Sequence, residues 1–175
     1  MKITPLSISG VFLLELESFQ DERGSFARQF CQKELARYGL DFPICQCNIS
    51  ANKKTGTLRG LHYQKEPFPE IKIVSCFQGS FFDVVVDMRP DSATYLQHIS
   101  MVLSAEKGNM IYIPPMMAHG FQTLQDDTLV YYQLGEFFQP DYYAGLRWND
   151  PKLKISWPLP ENPIINQRDN SYEYL

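Results

Sequence analysis

The side chains best suited to chemistry in this sequence are its three histidines, His62, His98 and His119. An imidazole can bind a metal ion, or it can take up and release a proton near neutral pH. A metal site needs several ligands that converge on one ion, at roughly 2.1 Å for imidazole nitrogens. His62 is followed by Tyr63 and Gln64 and not by a second histidine. We therefore expect no metal site, and the pattern favours an imidazole that acts as a base.

The segment around His62, Leu58–Tyr63, also contains an arginine three residues before the histidine. On a regular strand Arg59 and His62 would point to opposite faces, because side chains alternate. Gly60 lies between them and can mark a β-bulge that brings both side chains to one face. A buried, hydrogen-bonded His62 beside a surface arginine is the alternative, and the local sequence leaves both open.

The other two histidines occupy different local settings. His119 follows the Pro114–Pro115 turn, so a histidine that merely caps a strand is the alternative to a functional one. His98 begins an apolar strand with no other polar signal nearby, and we interpret it as structural.

Two further positions are candidates for side chains inside a barrel. Lys72 stands between Ile71 and Ile73, so it faces away from the isoleucines on a strand. A surface lysine is the alternative, since a buried ammonium needs an anion or a polarised oxygen beside it. Tyr131 and Tyr132 are consecutive, so one phenol points inward in either register and needs a hydrogen-bond partner there.

Strand patterns dominate the elements that must position these residues. Short apolar, β-prone segments separated by turns about every 8–12 residues predict an antiparallel sandwich or barrel, and specifically an all-β jelly roll. The strands predicted most clearly are Val11–Leu16, Ile71–Phe77, Phe81–Met88, His98–Leu103, Met110–Ile113, Gly120–Leu124 and Leu129–Gln133.

Two of the turns are predicted to close β-hairpins. Gln78–Gly79 and Asp126–Asp127 each separate two strand patterns by a few turn-forming residues, which is typical of paired neighbours.

Helical patterns are few. Gln32–Tyr38 is predicted to form a short helix that ends at Gly39, and Ser104–Lys107 a single turn. From about Asp150 the chain is rich in Pro and Asn, so residues 150–175 are expected to pack on the barrel as irregular structure within one domain that spans 1–175.

The overall composition sets the class of protein. With 175 residues and a net charge of −4, we expect one domain without a general basic surface for nucleic acid. Neither the first ten residues nor any later segment is apolar enough for a signal peptide or a membrane span. The four cysteines include no CxxC pair, and we interpret them as reduced thiols. A cytoplasmic protein is expected.

Taken together, short motifs along nearly the whole chain resemble the dTDP-4-dehydrorhamnose 3,5-epimerase family. They are Asp21–Gly24, Gln46–Ser50, Leu58–His62, Lys72–Val74, Phe82–Arg89, Ala118–Phe121, Trp148–Pro151, Trp157–Pro158 and Arg168–Asp169. The resemblance implies a homodimeric cupin-type jelly roll without metal or other cofactor. It also implies inversion of the two carbons beside the ketone of a nucleotide-linked, dTDP-type 4-keto-6-deoxy sugar.

The resemblance assigns a catalytic role to four residues. His62 is the implied base, and Asp169 is the partner of its imidazole. Lys72 is expected at the ketone oxygen, where enolate charge builds up, and Tyr132 is expected to return a proton on the opposite face.

The resemblance also implies a set of substrate-binding residues. They are Phe19, Arg23, Phe26, Arg28, Gln46, Asn48, Arg59, His119, Phe138, Tyr143 and Arg168. Arg59 and His119 are expected to bind the sugar and diphosphate, while Phe19 and Arg23 are expected to reach the nucleotide of the neighbouring subunit.

Three of these positions depart from the family pattern. Arg28 and Tyr143 stand where the family has glutamates, and Phe138 replaces a tyrosine that stacks on thymine. They lie toward the nucleotide, so the base and the exact sugar stay open. The alternatives are an enzyme that inverts one carbon only, a non-catalytic cupin that binds sugar nucleotides, and a metal-dependent cupin isomerase or oxygenase.

Overall fold

Short strands occupy most of the chain in the computed structural model, which describes residues 1–41 and 43–175. The strands are β1 (Lys2–Pro5), β2 (Phe12–Glu15), β3 (Ser18–Asp21), β4 (Gly24–Ala27), β5 (Gln46–Asn52), β6 (Leu58–Gln64), β7 (Lys72–Gln78), β8 (Ser80–Asp87), β9 (His98–Ser104), β10 (Asn109–Ile113), β11 (Met117–Thr123), β12 (Thr128–Leu134) and β13 (Tyr143–Gly145). The helical elements are α1 (Gln32–Ala36) and two 3₁₀ turns, Pro140–Tyr142 and Asp169–Ser171. Each strand that the sequence predicts most clearly is present.

The strands form two facing antiparallel sheets and a separate β3–β4 hairpin. The larger sheet has the order β1-β2-β10-β7-β12-β5, and the smaller has the order β13-β6-β11-β8-β9. Their inner faces share one apolar core, to which Val74 and Ile111 contribute from the larger sheet and Val85 and Phe121 from the smaller. This architecture confirms the predicted all-β jelly roll.

Both predicted hairpins are wrong. β7 and β8 lie in different sheets, so the Gln78–Gly79 turn carries the chain from one sheet to the other. β11 and β12 are separated in the same way, on either side of Asp126–Asp127. Alternating apolar residues predict that a strand has one buried face, but they do not tell whether the next strand lies beside it or opposite it. Here the next strand lies opposite.

The C-terminal segment covers the outer face of the smaller sheet. Trp148, Leu153 and Trp157 pack in one cluster with Val84 and Val86 of β8. The Trp157 indole donates a hydrogen bond to the carbonyl of Trp148 over 2.8 Å. This cover explains why β8 is buried on both faces, and it brings the Asp169–Ser171 turn up to β6.

The larger sheet is covered on only part of its outer face. Leu35 of α1 packs there against Leu14, Ile73 and Met110. The helix is two residues shorter than predicted and the chain reverses at Gly39, which has a positive φ of 70°. No helix within residues 1–41 and 43–175 has the length and apolar character needed to cross a membrane.

Toward the β5 edge the outer face is open and apolar. Ile49 and Phe77 expose 68% and 52% of their surface, and the Phe77 ring stacks on Tyr131 with centroids 4.6 Å apart. Two further aromatic side chains are exposed on the β3–β4 hairpin: Phe19 exposes 75% of its surface and Phe26 exposes 73%.

Candidate active site

A bulge in β6 brings Arg59 and His62 to the same face. Opposite β11, His62 pairs with His119 and Arg59 pairs with Phe121, so three steps along β6 match two along β11. Gly60 lies inside the bulge at a φ of 119°, and a Cβ there would stand 2.5 Å from the Cα of Gly120. Only glycine fits this close backbone approach. The bulge expected at Gly60 is therefore confirmed.

Both side chains line a cavity of about 320 Å³ between the two sheets, a size within the range of small-molecule sites. The opposite wall comes from β7 and β12 of the larger sheet. Leu134 pairs with Lys72 and Tyr132 pairs with Val74, so Lys72 and Tyr132 share the inward face. The imidazole of His62 thus lies on one wall, and an ammonium and a phenol lie on the other.

Most of the residues suggested by the sequence meet at this cavity. Those that line it are Asn48, Arg59, His62, Lys72, His119, Tyr132, Phe138, Tyr143, Arg168 and Asp169. Gln46 lies at its border, where its side-chain oxygen accepts a 2.6 Å hydrogen bond from the backbone of Phe138.

Besides Gln46, four suggested residues do not line the cavity of their own chain. Phe19, Arg23 and Phe26 lie on the exposed β3–β4 hairpin, where Arg23 pairs with Asp21 of the same turn. Arg28 pairs with Glu34 of α1 over 3.0 Å, in a separate surface depression. For Phe19 and Arg23, the prediction of a role in a neighbouring subunit stays a prediction.

The carboxylate beside Lys72 is a residue that the sequence reasoning missed. Glu70 forms a buried salt bridge with the Lys72 ammonium, and both side chains are less than a tenth exposed. Its spacing of two residues from Lys72 could have suggested a shared face. The anion that a buried lysine requires is therefore supplied by the protein.

A hydrogen bond to Asp169 fixes the imidazole of His62. Nε2 of His62 lies 2.9 Å from Oδ1 of Asp169, whose carboxylate is fully buried. Oδ2 of Asp169 accepts a hydrogen bond from the backbone N–H of Gly60 over 3.1 Å. The bulge and the C-terminal 3₁₀ turn therefore meet at the carboxylate of Asp169. Since Nε2 of His62 is bound to Asp169, Nδ1 is the ring nitrogen that can accept a proton.

The electrostatics of this pair favour a neutral imidazole beside a charged carboxylate. Burial lowers the pKa of His62, and it outweighs the hydrogen bond and the charge of Asp169, which act in the opposite direction. Burial raises the pKa of Asp169, but the hydrogen bonds from His62, Gly60 and Arg168 bring it below the ordinary value. A neutral imidazole held this way can accept a proton at neutral pH.

A second imidazole–carboxylate pair lies directly beside the first. Nε2 of His119 is 2.6 Å from Oδ1 of Asp83, which is buried on β8 and was missed in the sequence reasoning. Oδ2 of Asp83 has no hydrogen-bond partner among the described residues. The available signal in the sequence was that Asp83 is an acidic residue within the apolar strand β8. The Tyr132 ring meets His119 edge-on, with centroids 6.1 Å apart.

The inward phenol of Tyr132 stays protonated. Burial, and then the charge of Asp83, raise its pKa far above the ordinary value of 10. A protonated phenol with a high pKa can donate a proton but does not persist as an anion at neutral pH.

Two aromatic rings lie close to the imidazole of His62, and that of Tyr143 also lines the cavity. The Tyr143 ring lies 5.1 Å from the imidazole centroid and the Tyr172 ring 6.1 Å away. The guanidinium carbon of Arg168 lies 5.1 Å from the centre of the Tyr143 ring. Burial raises the pKa of Tyr143, so it too is a neutral phenol.

The described residues include no group of three or more His, Cys, Asp or Glu side chains arranged to hold a metal ion. What the cavity does contain is a base, an ammonium and a phenol arranged around a space for a small molecule. Such a set can take a proton from carbon on one face and supply one on the other.

Known proteins are similar to this chain in sequence and fold over nearly its whole length. The family model described as dTDP-4-dehydrorhamnose 3,5-epimerase matches residues 5–175. The chain belongs to this epimerase family. A dTDP-4-dehydrorhamnose 3,5-epimerase from Sinorhizobium fredii is 38% identical over 175 residues, which is 100% of this chain and 90% of the relative.

Two solved structures of the family superpose closely on this chain. The dTDP-4-dehydrorhamnose 3,5-epimerase from Bacillus anthracis, with TDP and PPi bound, has a TM-score of 0.97 at 36% identity and covers 99% of each chain. The dTDP-6-deoxy-D-glucose-3,5-epimerase from Legionella pneumophila, in complex with dTDP-4-keto-L-rhamnose, has a TM-score of 0.94 at 32% identity, over 99% of this chain and 92% of that one. As a member of the epimerase family, the chain is an isomerase.

The three positions expected to depart from the family pattern fall in two places. All three were expected toward the nucleotide, but the Tyr143 ring packs against His62, with centroids 5.1 Å apart. Tyr143 and Phe138 meet edge-on at the cavity, with ring centroids 5.3 Å apart. Arg28 lies outside the cavity and contacts α1. Only the first two therefore affect the cavity wall of this epimerase directly.

Proposed function

We propose that this chain inverts C3 and C5 of a dTDP-linked 4-keto-6-deoxy sugar, converting dTDP-4-dehydro-6-deoxy-D-glucose to dTDP-4-dehydro-L-rhamnose. Membership of the epimerase family supports the reaction. The observation that carries the assignment of residues is the arrangement of the cavity walls. His62 lies on the smaller sheet, while Lys72 and Tyr132 lie on the larger sheet opposite it.

The first step is removal of the proton from the carbon beside the ketone. The His62 imidazole forms a bond to that proton, and the C–H electron pair moves to give an enolate with its charge on the ketone oxygen. Asp169 holds the ring in place and stabilises the imidazolium that forms. The lowered pKa of His62 supports this role, because the imidazole is neutral and ready to accept a proton at pH 7.

The enolate oxygen needs a positive charge or a donor beside it. Lys72 is the buried cation of the larger sheet that faces the cavity, and Glu70 fixes its ammonium from one side. An ammonium carries three donors, so a substrate oxygen can bind in addition to Glu70. A preorganised cation in a buried site stabilises developing oxyanion charge strongly.

The second step returns a proton to the other face of the same carbon. Tyr132 is suited to it, since its phenol is protonated and lies on the wall opposite His62. The donated proton forms the new C–H bond as the enolate collapses to the ketone. The phenolate is then reprotonated from solvent, and the imidazolium of His62 releases its proton in the same way. The same cycle at the second α-carbon completes the double inversion.

The remaining parts of the proposal concern the nucleotide and the assembly. We propose a homodimer in which Phe19 and Arg23 of one protomer contact the nucleotide held by its partner, and we keep Phe26 and Arg28 as substrate-binding residues. The exposed aromatic rings of the β3–β4 hairpin and the open apolar face near β5 support this arrangement. A cytoplasmic location is also proposed, since the free thiols Cys31, Cys45, Cys47 and Cys76 suit a reducing compartment.

The test measures deuterium uptake from D₂O into dTDP-4-dehydro-6-deoxy-D-glucose. The wild-type enzyme is expected to label C3 and C5 and to give the L-rhamno product. His62→Ala is expected to lower labelling at both carbons by roughly 10²- to 10⁴-fold, because the general base is lost. Its affinity for dTDP should stay at the wild-type value in calorimetry.

His98→Ala is the matched control, since His98 lies on β9 and does not line the cavity. Labelling by His62→Ala at the wild-type rate would exclude His62 as the base. Labelling of one carbon by the wild type would establish a single-site epimerase instead. Tight dTDP binding with no labelling in the wild type would indicate a non-catalytic binding protein.

A further inference from the structure

The imidazole of His62 is enclosed by two tyrosines that no catalytic step uses. Tyr143 packs against it at an interplanar angle of 42°, and Tyr172 meets it edge-on at 67°. We call Tyr143 and Tyr172 the aromatic clamp. With the clamp in place, only 17% of the His62 side chain is exposed.

Gly145 makes room for one half of the clamp. It pairs with His62 across β13 and β6, and a Cβ at this position would lie 2.1 Å from Cζ of Tyr172. The Tyr172 ring therefore occupies the space that any other side chain at 145 would fill.

The 3₁₀ turn at Asp169–Ser171 ties the clamp to the carboxylate partner of His62. Arg168 precedes this turn and lies over the Tyr143 ring, while Tyr172 follows it. The Ser171 hydroxyl donates to the Arg168 carbonyl over 2.8 Å and keeps the turn closed. One short segment thus holds the hydrogen-bond partner of the imidazole and contacts both aromatic rings.

We infer that the aromatic clamp positions the imidazole of His62 against Asp169 and keeps water away from it, which makes Tyr143 and Tyr172 positioning residues for the base. This inference rests on the proposed function of His62.

The charges that face His62 predict the effect of opening the clamp. Asp169 raises the His62 pKa, Arg168 and Lys72 lower it, and burial lowers it most. The clamp phenols are neutral, because burial raises the pKa of Tyr143 and of Tyr172. The clamp therefore acts on His62 by excluding water and not by charge. Removing a ring should raise the His62 pKa, so that the base becomes protonated at a higher pH.

The experiment is an NMR titration of ¹⁵N-histidine-labelled protein without substrate, combined with the pH profile of kcat/KM. His62→Asn identifies the His62 signal, and His98 serves as an internal reference. Tyr143→Ala and Tyr172→Ala are expected to move the His62 titration and the acid limb of the profile to higher pH. They should also lower kcat by roughly 10- to 100-fold through misplacement of the base. Tyr143→Phe and Tyr172→Phe keep the ring and should titrate like the wild type.

Gly145→Ala provides an independent route if an alanine variant at 143 or 172 does not fold. Its new Cβ displaces the Tyr172 ring without removing any aromatic group, and the same shift to higher pH is expected. If the folded variants lose thermal stability but keep the wild-type His62 titration and acid limb, the clamp is only structural and the inference is wrong.

The titration also separates this inference from the proposed function, since it needs no substrate. A shifted His62 titration in a protein that labels no substrate would support the clamp and refute the epimerase. If the enzyme is an active epimerase but no clamp variant shifts the His62 titration, the proposed function is supported and the clamp inference is wrong.

Discussion

His62 depends on its surroundings for its chemistry. Asp169 directs its ring, and the aromatic clamp restricts its contact with water. These two influences act in opposite directions on the His62 pKa, and burial is the larger. The result is a neutral base at the pH of most cells.

The acid limb of the kcat/KM profile should consequently lie below the ordinary histidine value of about 6.5. A lowered pKa means that His62 takes up its proton only at lower pH, so activity persists in mildly acidic buffer and is lost as the pH falls through the His62 pKa. Initial rates measured from pH 4.5 upward would check this, at substrate concentrations well below KM. An acid limb above pH 6.5 would contradict it.

Tyr132→Phe isolates the proton-return step. The ring is kept, so packing against His119 and binding of dTDP should change little, while epimerised product should form roughly 10²- to 10⁴-fold more slowly. Labelling at the α-carbons without inversion is the expected signature, since His62 still removes and returns the proton on its own face. Tyr131→Phe, on the outer face, is the control. An unchanged rate and product ratio would remove Tyr132 from the mechanism.

The residues of the cavity were predictable to different degrees. His62, Lys72 and Asp169 lie in motifs that resemble the epimerase family, and the resemblance assigned Tyr132 by its position, so their meeting was expected. Asp83 and Tyr172 were not found, because each matters only through a contact with a residue distant in sequence. Long-range contacts of this kind are created by folding and leave little trace in local sequence. Glu70 was missed although it lies only two residues from its partner Lys72.

Among the elements, the bulged strand β6 does most to shape the site. It turns both Arg59 and His62 inward, and its Gly60 N–H binds Asp169. On a regular strand, Arg59 and His62 would point to opposite faces, and only one of them could reach the cavity.

Gly60→Ala should destabilise the fold by about 1–3 kcal/mol, through left-handed backbone strain and the clash with Gly120. It should also lower kcat by displacing His62. Gly24→Ala is a matched control, because Gly24 has a similar φ of 123° but no atom within 4 Å of a new Cβ. Urea unfolding of both variants separates strain from clash. Equal stability losses in the two would show that the close approach to Gly120 is unimportant.

The pairing of elements was harder to predict than their presence. The apolar patterns of 71–77 and 81–88 correctly predicted strands, as did those that flank Asp126–Asp127. They wrongly predicted hairpins, because an apolar face can be buried against a facing sheet as well as within one. The strands β1, β3, β4, β5, β6 and β13 were not among the strands predicted, since their alternation is weak or their length is short.

For the whole molecule, the open apolar face near β5 makes a specific prediction about assembly. The protein is expected to have a solution mass of twice 20.3 kDa by light scattering. Ile49→Lys should shift it toward the monomer, since Ile49 is exposed on the edge strand of the larger sheet. Val102→Lys, on the edge strand of the smaller sheet, is the control. A wild-type monomer with full activity would refute the homodimer.

The crossings between sheets at Gln78–Gly79 and Asp126–Asp127 also affect the stage of folding at which the active site forms. β1 with β2, β3 with β4, and β8 with β9 are neighbours in sequence that pair, whereas the ladders of β6, β7, β11 and β12 join strands far apart in the chain. Non-local pairing slows folding, because long loops must close before contacts form. His62 and Tyr132 lie in such ladders, on opposite sheets. During refolding, catalytic activity should therefore return late, after most of the sheet structure has formed.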